Sequence, residues 1–233
     1  MARYQEWAIA QGHVDRALTG SAAPLVCEAG CGSATHLQLP SDARVLGIDL
    51  SSRQLARYQG ATIRAVGDVQ ALPIREGSCA LVVCWEVLEH VPDPGQALRQ
   101  LATTLAPGGV LVVAVPNLWS IKGLATRLSP HFLHVWFYRR ILGVTDAGRD
   151  DTVPFPVSRN LAIAPAQLRR SAIDSGLTPL YEAHYEAKKQ ARLRTRVGLT
   201  GRRWALVRGL VRRLTFGRLD AETTEYLLVA SRC

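Results

Sequence analysis

Leu25-Val26-Cys27-Glu28-Ala29-Gly30-Cys31-Gly32-Ser33-Ala34 is the stretch on which the reading of this 233-residue chain turns. An apolar run closed by an acid and then by glycines reads as a buried strand feeding a tight turn. Gly30 and Gly32 permit backbone conformations that a Cβ forbids, and they let a ligand approach the main chain. A second acid, Asp49, closes the next apolar run, Val45-Leu46-Gly47-Ile48. A glycine loop alone is weak evidence, but further strand ends of the same kind follow this one in order.

Upstream, Tyr4, Trp7, Ala8, Gln11 and Val14 predict a helix over residues 2–18, either packed on the sheet edge or lying as a lid over a ligand. Thr19 to Pro24 is a turn-rich lead into the first strand. Downstream, a short helix ended by Pro40 precedes a strand over Arg44–Leu50. Ser51 can cap a helix over Ser52–Gln59, which Gly60 can end. A third strand, Thr62–Val66, runs into Gly67-Asp68-Val69. A fourth, Cys79–Cys84, runs into Trp85-Glu86-Val87-Leu88-Glu89-His90. Asp93-Pro94 opens a helix to Ala106, and Pro107-Gly108-Gly109 turns the chain into a fifth strand, Val110–Val115. Strands this apolar, separated by helices, predict a parallel sheet covered on both faces, with ligands bound beyond the strands' carboxyl ends.

Nearly half the residues, 48%, are hydrophobic, and 20% are charged, which excludes a disordered chain. No signal-peptide core or membrane-spanning run is visible, and the five cysteines lack CxxC spacing. Cys27, Cys79 and Cys84 lie in apolar runs as small buried thiols, and a cytoplasmic location is expected. Residues 1–117 carry 8 basic and 10 acidic side chains, whereas residues 118–233 carry 20 and 9. An acidic partner should therefore meet the C-terminal half.

Five motifs together resemble class I S-adenosylmethionine-dependent methyltransferases, most closely the ubiquinone-biosynthesis and small-molecule ones. They are Glu28-Ala29-Gly30-Cys31-Gly32, Gly47-Ile48-Asp49-Leu50-Ser51, Gly67-Asp68-Val69 with Leu72-Pro73, Val87-Leu88-Glu89-His90-Val91, and Leu105-Ala106-Pro107-Gly108-Gly109. The resemblance covers residues 24–117 and thins beyond them. It implies a doubly wound, mostly parallel seven-stranded α/β sheet forming a single domain. A helix over Pro165–Ser175, a strand near Pro179–Tyr185 and an antiparallel last strand over Glu225–Ala230 would complete it.

The resemblance also implies roles. Gly30, Cys31 and Gly32 bring backbone groups to the methionine portion of S-adenosylmethionine, and Glu28 holds its ammonium directly or through water. Asp49 suits the ribose hydroxyls, since a carboxylate accepts both hydrogen bonds. Leu50 covers the adenine, Asp68 accepts from its amino group, and the Val69 N–H donates to the ring. Cys84 and Trp85 wall the sulfonium. Ala34 replaces a third glycine and tightens the turn. A nicotinamide-binding GxGxxG loop is the competing reading, but Thr35 stands where its third glycine would be. A fold without cofactor leaves four strand-end carboxylates unexplained.

The acceptor side is expected in two insertions, residues 118–160 after the fifth strand and 188–219 between the sixth and seventh. In the first, His131, His134 and Tyr138 share one helical face, and Phe132, Val135, Trp136 and Arg139 share another. His131 or His134 is the candidate general base for a hydroxyl acceptor, with His90, His184 and Tyr138 behind them. The histidine pair lacks a third ligand, so no metal is expected. Asp150-Asp151 and Pro154-Phe155-Pro156 read as a rigid surface loop. The second insertion carries eleven Lys and Arg and no acid. Its Trp204, Val207, Leu210, Val211 and Leu214 are placed on one helical face, with Trp204 as an interfacial anchor on an anionic membrane. Arg203 and Arg208, with Tyr138 and Arg139, are candidate contacts to an anionic small-molecule acceptor. That acceptor is a nucleotide, a sugar or a lipid-linked intermediate, methylated on oxygen to leave S-adenosyl-L-homocysteine. Nucleic acid is disfavoured without a stacking platform, although an RNA methyltransferase and a cofactor-retaining protein of other chemistry stay open.

Overall fold

The computed structural model describes residues 5–33, 36–149, 151–152, 154–155 and 160–233. The readings made for Tyr4, Ala34, Thr35, Asp150 and Pro156 lie outside these residues. In chain order the elements are α1 (Gln5–Leu18), β1 (Leu25–Ala29), β2 (Arg44–Asp49), α2 (Ser52–Arg57), β3 (Ile63–Val66), β4 (Cys79–Trp85), α3 (Pro94–Thr104) and β5 (Leu105–Pro116). There follow α4 (Ile121–Leu128), α5 (His131–Arg140), α6 (Pro165–Asp174), β6 (Leu177–Tyr185), α7 (Lys188–Arg196), α8 (Gly201–Leu214) and β7 (Glu225–Arg232).

One seven-stranded sheet runs β3-β2-β1-β4-β5-β7-β6. The first five strands pair in parallel, and β7 enters antiparallel between β5 and β6. This is the doubly wound, mostly parallel sheet expected from the sequence. Period-2 alternation fills both faces, as β4 shows. Val82 and Cys84 join a core with α3 and α6, while Leu81, Val83 and Trp85 join another with α1. Apolar on both sides, such strands hold only when helices cover each face.

Local signals set the helix starts. The Ser51 hydroxyl accepts from the Gln54 N–H and caps α2, and the Asp93 carboxylate accepts from the Gln96 N–H with Pro94 opening α3. Three expectations are corrected. Residues 36–40 carry no helix before Pro40. Tyr58, not Gly60, caps the end of α2, donating its N–H to the Gln54 and Leu55 carbonyls. Pro107-Gly108-Gly109 lies inside β5, where the register against β4 shifts, because α3 stops at Thr104. One core needs α3 packed down and the other α1, so α1 is a sheet cover, and its Trp7 reaches the rings of His36 and Trp85.

The basic insertion is oriented differently from its sequence reading. Trp204, Val207 and Val211 are half-buried, whereas Leu210 and Leu214 point to solvent. Trp204 is no free anchor, because the Arg194 guanidinium lies 4.8 Å over its ring. Among the described residues no helix is long and apolar enough to cross a membrane.

Candidate active site

The carboxyl ends of β1, β2 and β4 meet at the glycine turn. The Gly30 and Cys31 N–H groups both donate to the Ile48 carbonyl, at 2.7 and 3.0 Å, which ties the turn to the end of β2. The Asp49 carboxylate then accepts from the Gly32 N–H at 2.9 Å and the Ser51 N–H at 2.8 Å. Each oxygen keeps a further lone pair, so the carboxylate is aimed yet still able to accept from a diol. Cys31 lies beside this acid and Glu28; burial first, then those charges, push its thiol up to about 12, so it stays protonated.

The two glycines do different work. Gly30 has φ +69°, and a Cβ there would stand 2.4 Å from a Val87 methyl. Gly32 has φ +55° and open space where its Cβ would be. Gly30→Ala should therefore cost about 2–4 kcal/mol of stability, from the left-handed backbone and overpacking together. Gly32→Ala should cost about 1–2 kcal/mol yet still lose ligand affinity, because its methyl enters the approach path. Denaturant unfolding beside calorimetric titration with S-adenosyl-L-homocysteine checks both.

Around this turn, Leu50 is exposed at 69%, free to cover a flat ring, and the Val69 side chain is buried, leaving its backbone for recognition. Asp68 accepts from the Gln70 N–H at 2.8 Å and from its side-chain amide at 3.1 Å. Gln70 in turn accepts from the Asp93 N–H, a brace the sequence reading missed. The expectation for Cys84 and Trp85 splits, because adjacent strand residues face opposite sides. Cys84 is sunk in the α3 core, where burial keeps it a thiol. Trp85 faces the α1 side and stacks on His36 at 4.8 Å and against Trp7 at 4.6 Å, with Tyr185 behind.

Glu86 follows Trp85 with φ +55°, an uncommon backbone for a residue with a Cβ. Its charge reaches His36, Glu89, Lys122, Tyr138, Tyr185 and Glu225. Glu225, the first residue of β7, is 1% exposed and pairs with the Lys122 ammonium of α4. Burial pushes the Glu225 carboxyl up to about 7 against the pull of Lys122. Its Oε2 is buried without a hydrogen-bond partner among the described residues. Burial also holds Glu89 well above the usual carboxylate range. Val87 touches the glycine turn, so this acid cluster adjoins the Asp49 cradle. Glu86, Lys122 and Glu225 were not picked out in the sequence, though an acid ending one apolar strand and another opening the last were visible signals.

His134 Nε2 lies 2.6 Å from the Ser129 hydroxyl, and burial, then His131, lowers its pKa. Only Tyr138, one turn along the same face, reaches the acid cluster, its hydroxyl raised by burial. His184 packs on Tyr226 at the sheet edge, and His90 meets Phe155. Arg139 donates twice to the Ala147 carbonyl, at 3.0 and 2.8 Å, and so pins its own loop. Arg208 pairs with Glu222, while Arg203 is exposed on α8. Lys188 and Lys189 stand at the mouth instead, over the rings of Trp7 at 4.8 Å and Tyr138 at 6.0 Å. An open groove beside α5 is lined by His131, Phe132, Val135, Trp136 and Arg139.

This strand order, with a glycine turn and carboxylates at the strand ends, is that of the class I S-adenosylmethionine-dependent methyltransferase fold. Residues 27–113 match the family described as a methyltransferase domain. The chain is 29% identical over 187 residues to a ubiquinone biosynthesis O-methyltransferase of Psychrobacter arcticus, covering 73% of this chain and 65% of that protein. The chain thus spans just under two thirds of that relative's length. A geranyl diphosphate C-methyltransferase of Streptomyces coelicolor shares the fold with a TM-score of 0.58 at 15% identity, over 98% of this chain and 79% of that one. The [4+2]-cyclase SpnF shares it too, with a TM-score of 0.54 at 16% identity over 99% of this chain and 83% of that one.

Proposed function

We propose that the chain transfers the methyl group of S-adenosylmethionine to a hydroxyl of a small, anionic or lipid-linked acceptor. The observation that carries this reading is the Asp49 carboxylate, aimed by two backbone N–H groups beside the glycine turn, directly next to the Glu86–Glu225 cluster. The residues fit the cofactor: Glu28 and the turn for its methionine portion, Asp49 for its ribose, and Leu50, Asp68 and the Val69 backbone for its adenine. When bound, it supplies an electrophilic methyl group on a sulfonium.

The chain's own work is alignment, exclusion of water and proton removal. Trp7, His36 and Trp85 form an aromatic wall against solvent. Lys122 holds Glu225 so that its Oε2 can take the acceptor's hydroxyl proton near neutral pH, with Glu86 and Tyr138 facing the same space. Lys188 and Lys189 meet the acceptor's anionic group. The Psychrobacter relative, an O-methyltransferase, supports oxygen as the methylated atom, and SpnF shows why the fold alone does not fix the reaction.

The test is incubation with methyl-labelled S-adenosylmethionine and extracts of the native host, followed by separation into RNA, lipid and small-molecule fractions. Label in a small-molecule or lipid hydroxyl is expected. Label in RNA, or none despite tight S-adenosyl-L-homocysteine binding, would replace this reading by a nucleic-acid or non-methylating one. With the labelled acceptor in hand, His131→Ala and His134→Ala should each change turnover by less than about tenfold, whereas a lost general base costs roughly 10²–10⁴.

A further inference from the structure

The arginines of the basic insertion divide by direction. Those facing the protein are neutralised: Arg194 donates to both oxygens of Glu186, and Arg208 pairs with Glu222. Those facing away, Arg202, Arg203, Arg212 and Arg213, are exposed, and no acid occurs between residues 188 and 219.

Leucines share the outward side. Leu206, Leu210 and Leu214 follow one another at i, i+4 and i+8 with exposures of 74%, 59% and 70%, and Phe216 just beyond α8 reaches 89%. On a helical wheel Arg202, Arg203 and Arg213 interleave with these leucines. The inner side needs none of them, because Trp204, Val207 and Val211 already hold α8 against the molecule. A solvated cover has no use for three consecutive exposed leucines, and a nucleic-acid surface has no use for an aliphatic ridge. A second copy of the chain would set these unpaired arginines against each other. An anionic bilayer satisfies both features, taking leucines into its headgroup boundary and arginines onto its phosphates.

We infer that the solvent face of α8 is a docking surface for an anionic lipid bilayer. Lying between β6 and β7, the helix adjoins the strand ends that carry Tyr185 and Glu225, so docking would bring the candidate active site to the membrane surface. The inference does not rest on the methyltransferase reading.

The test is co-sedimentation of the whole protein with vesicles of 30% phosphatidylglycerol in phosphatidylcholine, and with pure phosphatidylcholine. Calorimetric titration with S-adenosyl-L-homocysteine and a thermal melt serve as controls. Binding to the anionic vesicles at least about tenfold tighter than to the neutral ones is expected, weakening as salt rises from 0.1 to 0.5 M. Leu206→Glu with Leu210→Glu, and separately Arg202→Gln with Arg203→Gln and Arg213→Gln, should each lower it about tenfold or more with the melt unchanged. Both leucines are solvent-exposed, so these variants should fold. No binding, equal binding to neutral vesicles, or variants that bind as the wild type would overturn the inference. So would a dimer abolished by the leucine variant, or RNA binding that the arginine variant removes while vesicles are ignored. Loss of S-adenosyl-L-homocysteine binding in the wild type would strike the functional reading and leave this one standing.

Discussion

Lys122→Met should destabilise the protein by about 3–5 kcal/mol at pH 8, because Glu225 must then either stay charged without its counterion or take up a proton far above the ordinary carboxylate range. For a chain of this length that is a fall of roughly 6–20 °C in melting temperature. The penalty should shrink as pH is lowered. With its folded-state pKa raised to about 7, above the ordinary 4.5, Glu225 binds its proton more tightly folded than unfolded. Its contribution to stability is thus present in full below about 4.5 and is lost as pH rises through about 7. At pH 5 the Lys122→Met protein keeps a neutral Glu225 and should lose much less. Scanning fluorimetry of both proteins at pH 5 and 8 decides it; an equal penalty at the two values would show that Glu225 is not the group at issue. Glu225→Gln should flatten the same pH dependence in an otherwise native chain.

Asp49→Ala should weaken S-adenosyl-L-homocysteine binding about 10- to 150-fold, equivalent to the roughly 1.5–3 kcal/mol of a hydrogen bond to a charged group. The carboxylate does two jobs, since it also accepts from the Gly32 and Ser51 N–H groups and so joins the glycine turn to the cap of α2. Asp49→Asn keeps one carbonyl acceptor and should fall between the wild type and alanine. Calorimetry measures both, and wild-type affinity in the alanine variant would remove Asp49 from the ribose. Because Glu225 lies on another strand, Lys122→Met should leave this affinity unchanged once the protein is folded at pH 5.

The cradle was legible because its determinants are local. An acid ending an apolar run, two glycines and a second acid on the next strand specify a turn and a carboxylate with no knowledge of distant contacts. The Lys122–Glu225 pair was not legible for the opposite reason. Lys122 and Glu225 stand 103 residues apart and meet only because β7 runs back between β5 and β6. His131 and His134 carried the right chemistry at helical spacing, but spacing says nothing about which neighbour a helix face meets. On α8 the apolar periodicity was real and its direction misread, since Leu210 and Leu214 share an arc with arginines that only the packing of Trp204 turns outward. Arg139 and Arg208 were chosen for charge, and both are spent within the fold, on the Ala147 carbonyl and on Glu222.

The placement of β7 also sets a schedule for the ribosome. Val110 pairs with Ser231 and Pro116 with Glu225, so the flank of β5 gains its partner only when about 110–120 further residues have been made. At synthesis rates of 5–20 residues per second, that flank waits roughly 5–25 s as an unpaired apolar edge. Chains stalled or cut between α6 and β7 would carry the first five strands and still present a sticky ribbon of valines. The nascent protein should therefore depend on cellular holdases during this interval, and residues 24–117 made alone should accumulate as aggregate rather than as a small soluble domain.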